Sequence, residues 1–235
     1  MYETMTWDQR VAADAALSER RTFIQKTYLH VGGALLAYAL LLVVLVNFAP
    51  VEWMAVAFKG RGGLLILMLA FLGGSYAAQY MAQGHFSKPV QYAGLSLYTA
   101  LVAFISWPAV YICSTIPGYQ GILPQAVIIT LAIAAALTVS VFVTKADFSW
   151  MRTGLMVLGL LVPAIIIGGI IFDFTLGLWF TAAIGLLICG FILYETSMVM
   201  HHYRTSEYVG AALAIFASIA TLFRIVLSLL MSSRD

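Results

Sequence analysis

From Val31 to Phe48 the chain reads VGGALLAYALLLVVLVNF without one charged residue, and runs of this kind recur to its end. The hydrocarbon core of a bilayer is ~30 Å thick, and a helix crosses it with ~20 apolar residues at ~1.5 Å per residue. Seven stretches of that length are read at 27–49, 63–83, 90–113, 124–143, 153–172, 175–197 and 209–231. Only helices or closed barrels satisfy every backbone group in lipid, and unbroken apolar runs without a two-residue alternation exclude the barrel. The expected fold is an all-α membrane protein with short breaks that make successive helices antiparallel neighbours. The break at 173–175 carries only Asp173, so a six-span alternative stays open there.

Composition supports the same conclusion. Hydrophobic residues make up 63% of the 235 positions and charged residues 9%, against about 25% charged in a soluble domain. The net charge of +2 comes without a basic block, so no nucleic-acid partner is expected. Cys113 and Cys189 both lie in apolar runs at different depths and are read as small buried hydrophobes, not as a disulfide.

Residues 1–26 hold Asp8, Arg10, Asp14, Glu19, Arg20, Arg21 and Lys26 and are read as a polar cytoplasmic tail. Residues 27–231 form the membrane domain, and 232–235 a short terminal tail. The first 22 residues lack an apolar core, so the first long run is expected to act as an uncleaved anchor. With the N-terminus inside, the inner loops carry Arg10, Arg20, Arg21, Lys26, Lys88, Lys145, Arg152 and Arg204. The outer loops carry Lys59, Arg61 and Arg234, so the positive-inside rule places the C-terminus outside. Pro163, Gly168 and Gly169 imply a kinked, tightly packed fifth stretch, and the Gly73–Gly74–Ser75–Ala77–Ala78 cluster implies close helix contact.

Ionisable groups within spanning segments are the strongest functional pointers, because each costs about 2.5–3.5 kcal/mol at a helix centre on insertion scales. Glu195 lies near the inner end of the sixth stretch. Two readings stand: an interfacial carboxylate exposed to water, or an interior carboxylate acting as a proton or cation sensor. His201 and His202 follow it; adjacent histidines do not share a helix face, so no metal site is read there. Arg224 is the deepest basic residue. Ser218, Thr221, Arg224 and Ser228 fall on one arc of the last helix and give it a polar stripe. Asp173, near the outer face, is the expected partner of Arg224, with snorkelling of Arg224 to that interface as the alternative. No catalytic constellation and no cofactor motif is present, and the chain is not read as an enzyme.

The segment Ile192-Leu193-Tyr194-Glu195-Thr196-Ser197, with Tyr208-Val209-Gly210-Ala211-Ala212 and Ile219-Ala220-Thr221-Leu222-Phe223 after it, resembles the closing signature of the Bax inhibitor/YccA (TMBIM) family. Phe23-Ile24-Gln25-Lys26-Thr27-Tyr28 resembles the start of that family's first helix. Thr144-Lys145-Ala146-Asp147-Phe148-Ser149 resembles the loop between its fourth and fifth helices. The resemblance implies a seven-helix bundle with the last helix at its centre. Some members are pH-sensitive calcium leaks that use two aspartates on the last two helices; here those positions hold Glu195 and Ser218. That departure leaves a weaker cation site, and calcium enters only as a transported or bound ion. Glu195, Ser218 and the Ser232-Ser233-Arg234-Asp235 ending resemble the bacterial YccA branch of the inner membrane. The first functional expectation is therefore a modulator of a membrane AAA protease of the FtsH type, recognised through the N-terminal tail. The alternative is a cation leak gated by protonation of Glu195.

Overall fold

The computed structural model describes residues 11–174 and 176–234. The tail residues Asp8 and Arg10, and Asp235 of the expected C-terminal ending, lie outside the described residues. Among the described residues eight α-helices follow one another: α1 (Leu17–Phe48), α2 (Val51–Ala57), α3 (Gly60–Met81), α4 (Lys88–Thr115), α5 (Ile122–Thr144), α6 (Arg152–Phe172), α7 (Leu178–His201) and α8 (Tyr208–Ser232). All but α2 are long and apolar enough to cross a membrane. α6 ends at Phe172 and α7 starts at Leu178, so the weak break at Asp173 separates two helices and the seven-span reading holds. We call the side bearing residues 11–16 and the α7–α8 loop the tail face, and the other side the far face.

α8 is the centre of the bundle. In its most apolar window 61% of residues are buried, against 44% in α4 and less in every other span. α1, α4, α5 and α7 surround it, α3 packs on α4, and α6 lies at the edge against α3 and α7. Tyr38 of α1 and Tyr98 of α4 meet Phe216 of α8 edge-on, and Tyr38 meets Phe223 in the same way. With little hydrophobic drive between helices in lipid, such packing and small residues hold the bundle together. Gly94 is one of them: a Cβ there would lie 2.6 Å from the Ala78 carbonyl oxygen, so α3 and α4 touch backbone to backbone. Gly210 brings α8 as near to Ala82 at the end of α3.

Three features differ from the sequence reading. α1 begins at Leu17, inside the segment set apart as a tail, because hydropathy marks bilayer thickness and not helix length. α2 occupies the break between the first two spans and exposes Trp53 and Val56, as an interfacial helix does. α6 keeps Pro163 but buries only Leu155 and Gly169, so it is a peripheral helix and not a tightly packed one. Ser75 and Ala78 of the small-residue cluster are buried, whereas Gly73 faces open space.

Candidate functional site

Glu195 stands two turns before the end of α7, on the side turned towards α8. The Ser218 hydroxyl of α8 lies within hydrogen-bonding reach of its carboxyl, and Glu195 Oε2 is buried with no partner among the described residues. Glu195 faces the bundle interior, and the structure brings it and Ser218 together. The carboxyl is within electrostatic reach of tyrosines from three directions: Tyr28 of α1, Tyr98 of α4 and Tyr203 of the α7–α8 loop. Tyr28 in turn faces Thr138 of α5 and Thr196 of α7. Six residues beyond Ser218, ~9 Å along the helix, Arg224 reaches Tyr38 and Tyr98. Tyr98 thus stands between the carboxylate and the guanidinium, and Tyr38 continues the series towards Ser106.

The expected Arg224–Asp173 pair does not form. Asp173 makes an ion pair with Arg61 at the far face, where both side chains are more than half exposed. The reason is local geometry. Asp173 ends α6 in a left-handed conformation, φ 60°, which turns it towards the first turn of α3, while Arg224 points into the bundle and does not snorkel. A count of residues along a helix gives a side chain's depth but not the direction it faces.

Sequence reasoning missed the cluster that secures the tail face. Asp147 Oδ1 accepts the Ser149 amide at 2.8 Å and the Ser197 hydroxyl at 3.3 Å, and Asp147 Oδ2 meets His202 Nε2 at 3.1 Å. The Phe148 amide donates to Ser197 Oγ at 2.9 Å. The Ser149 amide, with lesser help from the Ser149 hydroxyl and His202 and against a cost of partial burial, holds the Asp147 carboxyl down to about 2. The signal was present in the Thr144–Ser149 motif, whose Asp-Phe-Ser order is an Asp turn that caps itself. His202 is thereby an Asp partner, while His201 Nε2 is buried without one.

The α7–α8 loop has two further anchors. The Ala12 amide donates to the Tyr203 carbonyl at 2.8 Å, beside an antiparallel bridge from Val11 to Arg204, and the Arg20 guanidinium donates to the Met200 carbonyl at 3.2 Å. Beside this loop opens a cavity of about 520 Å³ lined by Gln79, Gln83, His85, Arg204, Glu207 and Tyr203, among others. Tyr203 lines this cavity and lies within electrostatic reach of Glu195. Burial, followed by the Glu195 charge, pushes the Tyr203 hydroxyl up, so it stays a protonated donor at physiological pH.

The comparisons with known proteins agree with this architecture. A family described as "Inhibitor of apoptosis-promoting Bax1" matches residues 20–235. The chain belongs to this family. Among its relatives, the "Golgi anti-apoptotic protein" of vaccinia virus (strain Lister) is 29% identical over 93% of this chain and 88% of its own. "Protein LIFEGUARD 4" of Arabidopsis thaliana is 24% identical over 88% of this chain and 83% of its own. "Bax inhibitor 1" of Schizosaccharomyces pombe is 30% identical over 62% and 53%. No solved structure matches. As a Bax inhibitor family member with seven apolar helices, the chain is a multi-pass membrane protein.

Proposed function

We propose that this Bax inhibitor family protein is a pH-responsive leak for protons or small cations, with Glu195 as the group that takes up and releases the permeating charge. The observation that carries this reading is the placement of Glu195. Its carboxyl touches Ser218 on the central helix and leaves one oxygen unpartnered in the interior. From the tail-face cavity, Tyr203, Glu195, Ser218 and Tyr98 form a polar series into the bundle. A carboxyl so placed binds a proton or a cation but not both, which makes the site pH-dependent. The single carboxylate of the Glu195–Ser218 pair favours a proton or a monovalent ion over tight binding of a divalent one.

Proteoliposomes test the reading by proton and calcium flux across pH 6–8, wild type beside Glu195→Gln. Flux that varies with pH and is lost in the variant supports it. Flux in neither protein ends it, and flux unchanged in the variant removes Glu195 from the mechanism.

A second reading is modulation of a membrane AAA protease of the FtsH type, in a bacterial inner membrane as the YccA-like residues imply. Its support is the docking of Ala12 and Arg20 on the loop that follows the Glu195 helix. A machine that pulls on the N-terminus pulls on that loop. Co-purification from native membranes with and without the tail tests it. The vaccinia virus relative is named an anti-apoptotic protein; to this chain we extend only a role in membrane ion balance or protein quality control.

A further inference from the structure

Arg224 is a charge that the chain itself leaves unbalanced. Among the described residues the ion pairs join Arg61 to Asp173 and His202 to Asp147, and neither includes Arg224. An arginine does not shed its proton inside a protein, and its guanidinium offers a planar fork of N–H donors with no acceptor. Its surroundings add donors of their own. Arg224 lies within electrostatic reach of Tyr38 and Tyr98, and the Tyr38 hydroxyl is buried with no hydrogen-bond partner among the described residues. The Ser106 hydroxyl, beside Tyr38, already donates to the Val102 carbonyl at 2.7 Å.

These groups are held in place. Edge-on contacts with Phe216 and Phe223 fix the Tyr38 ring, and Phe216 fixes that of Tyr98. Phe223 is the neighbour of Arg224 on α8, so one turn of the central helix positions both the guanidinium and the rings. The place is also reachable. Ala214, Ala217, Thr221 and Arg224 recur every three or four residues on one face of α8 and are partly exposed, whereas the other residues from Ala211 to Leu227 are buried. A permanent positive charge beside an unpartnered O–H donor, in apolar surroundings, is complementary to a negative charge that accepts hydrogen bonds. The ion must be small, because the tyrosines are packed among rings. It must be monovalent, because a second negative charge would itself be left unbalanced in the interior.

We propose that Arg224, with the hydroxyls of Tyr38 and Tyr98, binds a small monovalent anion of the halide class, chloride in a cell. The guanidinium supplies the charge and the Tyr38 hydroxyl the hydrogen bond that distinguishes a bound ion from one merely attracted. The proposal concerns the counter-charge of Arg224 and does not depend on conduction through Glu195.

The test uses the full chain in detergent, exchanged into sodium gluconate and titrated with radiolabelled chloride at constant ionic strength. Wild type is expected to bind chloride saturably, a single ion per chain, with bromide displacing it and sulfate not. Its thermal midpoint should rise as chloride replaces gluconate, because an ion that binds only the folded state stabilises it. Arg224→Gln keeps a polar side chain but loses the charge; it should bind no chloride and have a midpoint indifferent to it. Tyr38→Phe removes one hydroxyl and keeps the ring contacts. It should weaken chloride ~10-fold, as expected for loss of a hydrogen bond to a charged group, and it decides the matter even if Arg224→Gln does not fold. Absence of saturable chloride binding to wild type overturns the proposal. So does chloride binding that is unchanged in Tyr38→Phe, that survives in Arg224→Gln, or that sulfate displaces as well as bromide does.

Discussion

A guanidinium inside an apolar bundle needs a counter-charge, and Arg224 is given tyrosine hydroxyls instead. Its electrostatic neighbours are Tyr38 and Tyr98, both neutral at physiological pH, and Asp173 is committed to Arg61. Even a buried ion pair is often replaced by apolar residues of similar volume with a gain of about 1–4 kcal/mol, and a buried guanidinium without a carboxylate has less attraction to lose. Arg224→Leu is therefore expected to raise the thermal midpoint in detergent by ~2–4 °C for each kcal/mol recovered. The same charge repels cations from the series between Glu195 and Tyr38, so any flux through Glu195, as proposed above, should be faster in this variant. A lower midpoint would show that the tyrosines solvate the guanidinium well enough to make it structural. At Ser218 the expectation is opposite and smaller. Ser218→Ala removes the hydroxyl that reaches Glu195 and should cost about 1 kcal/mol, seen as a midpoint lower by ~2–4 °C. The Glu195–Ser218 pair was legible in the sequence because a charge and a hydroxyl in apolar helices are conspicuous. Tyr38, Tyr98 and Tyr203 were not, because tyrosine is common at apolar positions and counted among them, although its hydroxyl carries the polar series.

Between elements, the restraints sit where the spans end. The turn after α5 holds Lys145 at φ 53° and lets Asp147 cap Ser149 and bind Ser197 and His202, tying α5, α6 and α7 together. Because the Asp147 carboxyl is held below its ordinary value of 3.8, its charge stabilises the folded turn above that value. The contribution is lost as pH falls from there through about 2. With nearly half of the side chain exposed, solvent screening keeps the effect local. Asp147→Asn should reproduce the acid state at neutral pH: hydrogen exchange at the Phe148 and Ser149 amides is expected to rise ~5-fold, the equivalent of about 1 kcal/mol, with the spans unaffected. At the α3–α4 contact, Gly94→Ala drives a methyl group towards the Ala78 carbonyl. Overpacking of this kind costs about 1–3 kcal/mol and should lower the thermal midpoint accordingly, whereas Gly73→Ala, with open space around its Cβ, should leave it unchanged or higher. The seven spans were legible because bilayer thickness fixes the length of an apolar run. The small-residue cluster before α4 signalled close packing in the same way. Which of its glycines makes the contact was not legible, since that depends on how α3 is rotated about its own axis.

Seen whole, the molecule keeps its most buried helix at the centre and its chemistry near one end of it, and the tail reaches that end from outside the bundle. Ala12 is fully buried against the loop that joins α7 to α8. This loop closes the cavity at Tyr203, and Tyr203 feels the Glu195 charge. Anything that lifts residues 11–16 from the loop removes the Ala12–Tyr203 bond and the Val11–Arg204 bridge but leaves the contacts among the seven spans intact. Ala12→Asp is the least invasive way to do so, because a carboxylate is not accommodated at a fully buried position without a partner. Two outcomes are expected together. Limited proteolysis within residues 11–20 should accelerate at least ~5-fold, as expected for loss of a contact worth about 1 kcal/mol, while the thermal midpoint of the bundle changes little. The pH profile of any flux through Glu195 should shift as well, since the loop that carries Tyr203 is no longer held within electrostatic reach of the carboxyl by the tail. A faster cut with an unchanged flux profile would separate the tail from the site and leave it as a handle for a protease alone. A shifted profile would make the docked tail part of the gate.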